Sequence, residues 1–138
     1  MLASDPAGVQ STLDENRKAV SAFVAAARAV PRSAWAAPRA PAKWSPAQVT
    51  EHVAGRFTRR GKSPAPFQPS AVPGSVADVT ARLNTAAGAF EADVAAAAAS
   101  GRVTIDHPFF GRLPLADYSR LQAIHTRHHA QQLGPAVS

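Results

Sequence analysis

Three of the five histidines in this chain lie close together near its carboxyl end, in the segment IHTRHHAQQL at residues 124–133. His125 and His129 are four residues apart, so on a helix their rings lie one above the other on the same face. His128 lies toward the edge of that face, and His52 belongs to a second helical segment far upstream. Imidazole nitrogens are good ligands for Zn, Ni, Fe and Cu, so this spacing indicates metal chemistry.

Three imidazoles from two helices can share one metal ion. An i, i+4 pair can reach the same ion at about 2.0–2.1 Å per bond, and a third imidazole from a facing helix completes a cap of three nitrogens. Such a cap leaves a coordination position for water or substrate, as in catalytic zinc sites. We therefore predict a metal site formed by His52, His125 and His129. The alternative is that the HxxxH pair is a surface or core pair without a metal.

Each metal-binding histidine should donate its second ring N–H to an acceptor. Gln48, one turn before His52, and Gln132, three residues after His129, are in position to accept. Glu51 is next to His52 in sequence but points about 100° away around the helix, so it is a poor candidate for a general base.

Three more side chains are candidates for the pocket. Tyr118 falls on the inner side of the last helix, the same side as the histidine pair. We interpret His128, at the flank of the predicted metal face, as a residue that supports the ligands or contacts a partner. His107 precedes Pro108, so its backbone is extended or in a turn. The loop that carries His107 could fold over the mouth of the pocket, or the ring could cap a turn.

Four predicted helices position these residues, and the outer two have simple end signals. The first is predicted over about residues 6–30, with Asp5 as its N-cap and Pro6 at the first helical position. The last begins near Pro114 and ends at Gly134–Pro135. In both, apolar residues recur every three or four positions and form one stripe, which indicates a helix packed on a core.

The second helix has the clearest start in the chain. Ser45 is predicted to be its N-cap, with Pro46 at the first helical position and Gln48 completing a capping box. Trp44, just before the cap, can pack on Val49 as a hydrophobic staple.

The third helix is separated from the second by a proline-rich linker at residues 61–74. It is predicted to begin at Ser75, the N-cap, with Asp78 as the acid of a capping box. Gly101 is its predicted stop.

Two other connections are rich in proline or apolar residues. Residues 31–43 are predicted to form an ordered loop in which Trp35 plugs one end of the core. In residues 102–113, apolar and polar residues alternate briefly, but a strand there has no obvious partner. We expect Phe109 and Phe110 to cover the core. Four helices joined in this way predict an all-α protein, a four-helix bundle.

Composition limits the other possibilities. The 138 residues predict a single domain over residues 1–138, and 46% of them are apolar, enough for one core. The sequence has no cysteine, which excludes disulfides and thiolate ligands and fits a reducing compartment. No apolar run approaches the roughly 20 residues of a membrane span. The first ten residues lack a basic start before an apolar block, so we expect no secretion signal and a cytoplasmic location.

The net charge of +6 raises the question of a nucleic-acid partner. Arginines are spread along the whole chain, and the cluster Arg56, Arg59, Arg60 and Lys62 has no nucleic-acid-binding motif around it. We therefore rank nucleic-acid binding last.

Two blocks of the sequence, WSPAQVTEHVA at residues 44–54 and HPFFGRLPLADYSRLQAIHTRHHAQQL at residues 107–133, resemble the DinB-like (YfiT-like) superfamily of metal-dependent hydrolases and thiol transferases. The resemblance implies a four-helix bundle, commonly a homodimer, with a divalent metal, often Zn or Ni, on His52, His125 and His129. Relatives usually continue the second helix well past its histidine. Here the proline-rich run starts soon after Gly61, which predicts a shortened second helix of three or four turns.

The resemblance implies an enzyme that acts on a small-molecule substrate with a metal-activated nucleophile, either water or a low-molecular-weight thiol. Because the chain has no cysteine, any thiol must come from outside the protein. The alternative is a non-catalytic bundle that binds a metal or a small ligand in a degraded pocket.

Overall fold

Four long helices, a single-turn helix and a β-hairpin make up the described part of the chain. The computed structural model describes residues 8–38, 40–41, 43–58, 74–107 and 110–133. The elements in chain order are α1 (Val9–Ala29), α2 (Arg32–Trp35), α3 (Pro46–Thr58), α4 (Val76–Ala99), β1 (Thr104–His107), β2 (Gly111–Pro114) and α5 (Leu115–Ala130), which a 3-10 turn (Gln131–Leu133) follows.

The four long helices enclose one core. Helix α1 packs against α4 and α5, and α3 packs against the same two helices. The apolar stripe of each helix faces inward, because burial of that stripe is the main source of stability for an amphipathic helix. Phe90 lies at the centre, with its ring 5.4 Å from that of Phe57 and 5.7 Å from that of Tyr118. The predicted all-α four-helix bundle is confirmed.

The start of α3 follows the sequence prediction. The Gln48 backbone N–H donates to Ser45 Oγ at 3.2 Å, and the Ser45 backbone N–H donates to Gln48 Oε1 at 2.9 Å. These reciprocal bonds form the predicted capping box and satisfy N–H groups that the helix itself leaves without acceptors. The described α3 has 13 residues, and residues 59–73 after it lie outside the described ranges, so the predicted shortening of this helix stays a prediction.

Both ends of α4 also follow the sequence. Ser75 Oγ accepts a hydrogen bond from the Asp78 backbone N–H at 3.1 Å. At the other end, Gly101 has φ +88°, a left-handed conformation that favours glycine. The N–H groups of Gly101 and Arg102 donate to the carbonyls of Ala98 and Ala97, at 3.1 and 2.9 Å. This pair of bonds is a Schellman motif, so Gly101 is the stop that the sequence predicts.

The start of α1 differs from the prediction. The helix begins at Val9, after Gly8 with φ +75°, and so starts later than Pro6. The predicted N-cap, Asp5, lies outside the described residues. At its far end, Val30 is extended, as expected for a residue that precedes a proline.

The predicted loop at residues 31–43 contains the single helical turn α2. Trp35, the last residue of that turn, is buried, and its indole N–H donates to the Gly74 carbonyl at 2.9 Å. The indole thus plugs the core as predicted, and its hydrogen bond joins α2 to the residue that precedes the cap of α4.

The prediction that residues 102–113 contain no paired strand is wrong. Strand β1 pairs antiparallel with β2, with Ile105 opposite Leu113 and His107 opposite Gly111. Gly111 has φ +73°, a conformation that glycine adopts at little cost as the chain reverses. Strand β2, the partner of β1, has only four residues and comes directly after the turn. Any alternation of apolar and polar residues in it is therefore too brief to be recognised in the sequence.

Phe110 does not cover the core as predicted, because its side chain is 62% exposed. It lies in the turn of the hairpin, and its ring packs on that of His107 with 4.9 Å between the centroids. Phe109 lies outside the described residues.

Other predictions fall where the structure is not described. The linker at residues 61–74, apart from Gly74, and the stop at Gly134–Pro135 lie outside the described ranges. No helix in the described ranges combines the length and the apolar character needed to cross a bilayer.

Candidate functional site

Helices α3 and α5 bring histidines from distant parts of the sequence together. His52 lies in the middle of α3, and its ring centroid is 4.7 Å from that of His129 on α5, with 74° between the ring planes. The rings of His129 and His125 are nearly parallel, with centroids 6.3 Å apart, as expected for residues one turn apart. We call His52, His125 and His129 the histidine cluster.

The fit of the cluster to a metal ion depends on residue type, protonation and orientation. Imidazoles are suitable ligands for Zn or Ni, and the rings are adjacent. Among the described residues, however, no group of three or more histidine, aspartate or glutamate side chains is arranged closely enough to count as a metal site. The metal site therefore remains a prediction.

The surroundings of the cluster keep its histidines neutral at pH 7. Burial, and after it electrostatic interactions with His129, Arg56 and His125, together lower the pKa of His52 to about 4. Burial and the nearby Arg56 likewise lower the pKa of His125 to about 4. The pKa of His129 is also lowered by burial, and the hydrogen bond that His129 donates to Gln132 opposes this shift. A metal binds the neutral form of imidazole, so these shifts favour ligation over protonation.

Gln132 contacts the cluster as the sequence predicts, whereas the bonds seen for Gln48 are those of the capping box. His129 Nδ1 is 2.9 Å from Gln132 Oε1, and an amide oxygen only accepts, so Nδ1 carries the proton. The second nitrogen of that ring, Nε2, then presents its lone pair. The side-chain oxygen of Gln48 accepts from Ser45 in the capping box, so its role is to start α3.

The indole of Trp44 packs against the ring of His52. The two ring centroids are 4.8 Å apart with the planes tilted by 49°, and the indole is 37% exposed. The ring of His52 thus contacts both the indole and the ring of His129. An indole in this position shields the imidazole from water and contributes to the burial that lowers its pKa.

His107 and Tyr118 form a second group of rings at the hairpin end of α5. Both are buried, with ring centroids 5.3 Å apart. His107 Nδ1 accepts a hydrogen bond from the Phe110 backbone N–H at 3.2 Å, which is the turn-capping role considered for it. Burial, and then the charge of Arg56, lower the pKa of His107.

His128 and Glu51 lie at the edge of the site or outside it. His128 is exposed, and its ring centroid is 5.2 Å from that of His129. Glu51 is buried and pairs with Arg82 of α4 at 3.3 Å. Glu51 therefore faces α4, as expected for a residue that points away from His52.

Arg56 is the residue of the site that sequence reasoning missed, because in the sequence it belongs to a basic cluster with Arg59, Arg60 and Lys62. It follows His52 by one turn of α3 and is half-buried. Its charge lowers the pKa of His107 as well as that of each member of the histidine cluster. Its backbone carbonyl accepts from Gln122 Nε2 at 3.3 Å, which holds α3 against α5. The i, i+4 spacing from His52 was the available signal.

Comparison with known proteins agrees with this description. The profile of the DinB superfamily matches residues 12–133. The crystal structure of TT2238, a four-helix bundle protein, is similar to this chain with a TM-score of 0.64 and 28% sequence identity. The similarity covers 91% of this chain and 97% of TT2238. No curated protein matches the sequence.

Proposed function

The chain belongs to the DinB superfamily, and from that membership and its histidine cluster we propose that it is a metal-dependent hydrolase or thiol transferase. His52, His125 and His129 bind one divalent metal, Zn or Ni, and the substrate is a small molecule. The observation that carries the proposal is the contact across the α3–α5 interface, where the ring of His52 lies 4.7 Å from that of His129.

Two further features support this assignment. The lowered pKa values keep the cluster neutral at pH 7, the state required of metal ligands. The bond to Gln132 orients the ring of His129 and selects the tautomer with its lone pair on Nε2. Interactions of this kind behind a ligand fix its orientation before a metal binds.

A divalent metal in this site would act as a Lewis acid and lower the pKa of a coordinated water or thiol. The residues of the chain have the remaining roles. The histidine cluster would hold the ion, Gln132 fixes one imidazole, and the indole of Trp44 shields His52 from water. A thiol, if one is used, is a second substrate, because the sequence has no cysteine.

A non-catalytic bundle that binds a metal or a small ligand is the second candidate. Glu51 favours it, because this buried carboxylate is paired with Arg82 and turned toward α4. The described cluster therefore has no carboxylate to act as a general base. A reaction at this site would depend on a histidine, on the metal or on a second substrate for proton transfer.

Metal analysis of protein purified without a histidine tag tests the metal site. We expect near-stoichiometric Zn or Ni in the wild type, loss of the metal in His125→Ala, and retention in His128→Ala, which is the matched control. Failure of the wild type to take up either metal would end both metal-binding proposals.

Turnover separates the enzyme from the binding module. The loaded protein is offered a thiol with an electrophile, and then a panel of esters and amides. Turnover above that of the free metal ion supports the enzyme, and a rate equal to that of the free ion supports the binding module.

We also propose a homodimer, which predicts a sedimentation mass twice the 14.4 kDa of the chain.

A further inference from the structure

A cavity of about 780 Å³ lies where the end of α1 and the turn α2 meet the start of α4. Among the described residues that line it are Arg28 from α1, Arg32 and Trp35 from α2, and Val76 and Asn84 from α4. Its volume falls within the range of about 300–1,000 Å³ that is typical of small-molecule sites. Helices α1 and α4 meet across the bundle from α3 and α5, so this α1–α4 cavity is separate from the histidine cluster.

The charged residues in the described lining of the α1–α4 cavity are two arginines, Arg28 and Arg32. Both are exposed to water, and no salt bridge of the described chain includes either of them. All the acids of the sequence except Asp5 belong to the described ranges, and none of these lines the cavity. Asp78 comes closest along the chain, one residue after the lining residue Ala77. The cavity is therefore a region of positive potential, which attracts anions.

Trp35 gives the same cavity an apolar wall that is held in place. Its side chain is only 7% exposed, and its indole N–H already donates to the Gly74 carbonyl, so the ring offers carbon atoms to a ligand. Val30 and Val76 are also in the lining and extend this apolar surface. A ligand that matches the cavity therefore combines an apolar group with negative charge.

An adjoining cavity shows by contrast why the larger one is suited to an anion. It has a volume of about 370 Å³, shares Arg28 and Asn84 with the larger cavity, and is also lined by Arg17. The guanidinium of Arg17 pairs with Glu91 at 2.7 Å and with Asp14 at 3.1 Å, so acids of the chain already neutralise its charge. In the α1–α4 cavity, the described acids do not pair with the second arginine, Arg32, in this way.

We propose that the α1–α4 cavity binds an organic phosphate monoester, a small molecule that carries a phosphate group on an apolar body. A phosphate monoester has a charge of roughly −1.5 to −2 at pH 7, which the two arginines match more closely than they match a single carboxylate. Arg28 and Arg32 form charge-assisted hydrogen bonds to the phosphate oxygens, and the apolar body packs on Trp35. This site goes beyond the proposed metal centre and does not depend on it.

The two tryptophans of the chain report on the two sites separately. Trp35 lies in the wall of the α1–α4 cavity, whereas Trp44 packs on His52 of the histidine cluster. Metal-free, ¹⁵N-labelled protein is titrated at pH 7 with phenyl phosphate, and the indole N–H signals are followed by NMR. We expect a saturable shift of the Trp35 signal and no change in that of Trp44. A saturable shift of the Trp44 signal alone would assign the anion to the histidine cluster and overturn the proposal.

Three further probes separate the contributions of charge and apolar surface. Benzoate carries a single charge on the same ring, inorganic phosphate lacks the ring, and phenol lacks the charge. Each should bind at least about fivefold more weakly than phenyl phosphate. Benzoate of equal affinity would contradict recognition of a phosphate, and phenol of equal affinity would contradict recognition of charge. Inorganic phosphate of equal affinity would mean an adventitious ion only.

Substitutions in the cavity wall test the role of the arginines. Arg28→Gln and Arg32→Gln should each weaken phenyl phosphate binding by about fivefold, and the double variant by about twentyfold or more. Ala81→Glu, which adds a carboxylate to the described lining, should weaken it by about tenfold. Arg102→Gln is the matched control, because it removes an exposed arginine beyond the other end of α4, and its affinity should stay within about twofold.

All of these substitutions are at exposed positions, so we expect each variant to fold, and circular dichroism checks this. Unchanged affinity of the double arginine variant would overturn the proposal, as would an equal loss of affinity in Arg102→Gln. Because the titration contains no metal, its result stands whether or not the histidine cluster binds one.

Discussion

The metal-free protein should lose stability as the pH falls from about 6.5 to 4, because His52 and His125 resist protonation in the folded state. In the unfolded chain both rings take up a proton near pH 6.5, whereas in the fold their pKa values are about 4. Between these values the unfolded chain binds more protons than the folded one. The free energy of unfolding therefore decreases as the pH is lowered through this window, and the full contribution of the neutral rings is present above it.

The size of the effect follows from the shift. A lowering from 6.5 to about 4 corresponds to a ceiling of about 3.4 kcal/mol for each ring, at about 1.36 kcal/mol per pKa unit. Both rings are half-buried, and water around their exposed parts screens the charge of the protonated form. We therefore expect about 1–2 kcal/mol from each ring, or about 2–4 kcal/mol for the pair.

Urea unfolding at pH 7 and pH 4 measures this loss. Carboxylates also titrate over this range, so the wild type is compared with the double variant His52→Gln/His125→Gln, which retains every acid. The wild type should lose about 2–4 kcal/mol more than the double variant between the two pH values. Identical pH dependence in the two proteins would refute the assignment of these rings as histidines that the fold keeps neutral.

Further predictions concern the core, the caps and the metal. Phe90→Ala, at the buried centre of the bundle, should lower the free energy of unfolding by about 3–5 kcal/mol, whereas Phe110→Ala in the exposed turn should change it by less than about 0.5 kcal/mol. Ser45→Ala should cost about 1 kcal/mol in the same urea assay through loss of the capping box. Gln132→Leu should weaken Zn binding by about 10–100-fold in a calorimetric titration, because His129 loses the acceptor that fixes its ring. Zn should leave the wild-type protein as the pH falls below about 6, and Zn retained at pH 4 would contradict an all-histidine site.

Local sequence determined the helices and several of their ends. Apolar residues at three- and four-residue spacing define stripes that have to be buried, so the four-helix bundle follows from periodicity. The cap at Ser45, the cap at Ser75 and the stop at Gly101 depend on residues within a few positions of each other. Such short-range bonds form in the same way wherever the helix lies, which is why the sequence alone was sufficient for them.

The sequence identified the histidines by type and spacing, but it could not determine their surroundings. HxxxH spacing places His125 and His129 on one side of a helix, and His52, in a second predicted helix, is the candidate for the third imidazole. The 4.7 Å contact between His52 and His129 depends on how α3 packs against α5. The degree of burial that lowers their pKa values depends on the same packing.

Tertiary structure decided the features that long-range contacts create. The hairpin forms because two short segments pair with each other and pack beside α5, although neither is a clear strand by itself. Arg56 lies among basic residues in the sequence, but in the fold it is half-buried, its backbone carbonyl bonds to Gln122 of α5, and its charge lowers the pKa values of four histidines. Local spacing fixes which residues share a face of a helix, and only the packing of the helices fixes which charges and rings face each other in the interior.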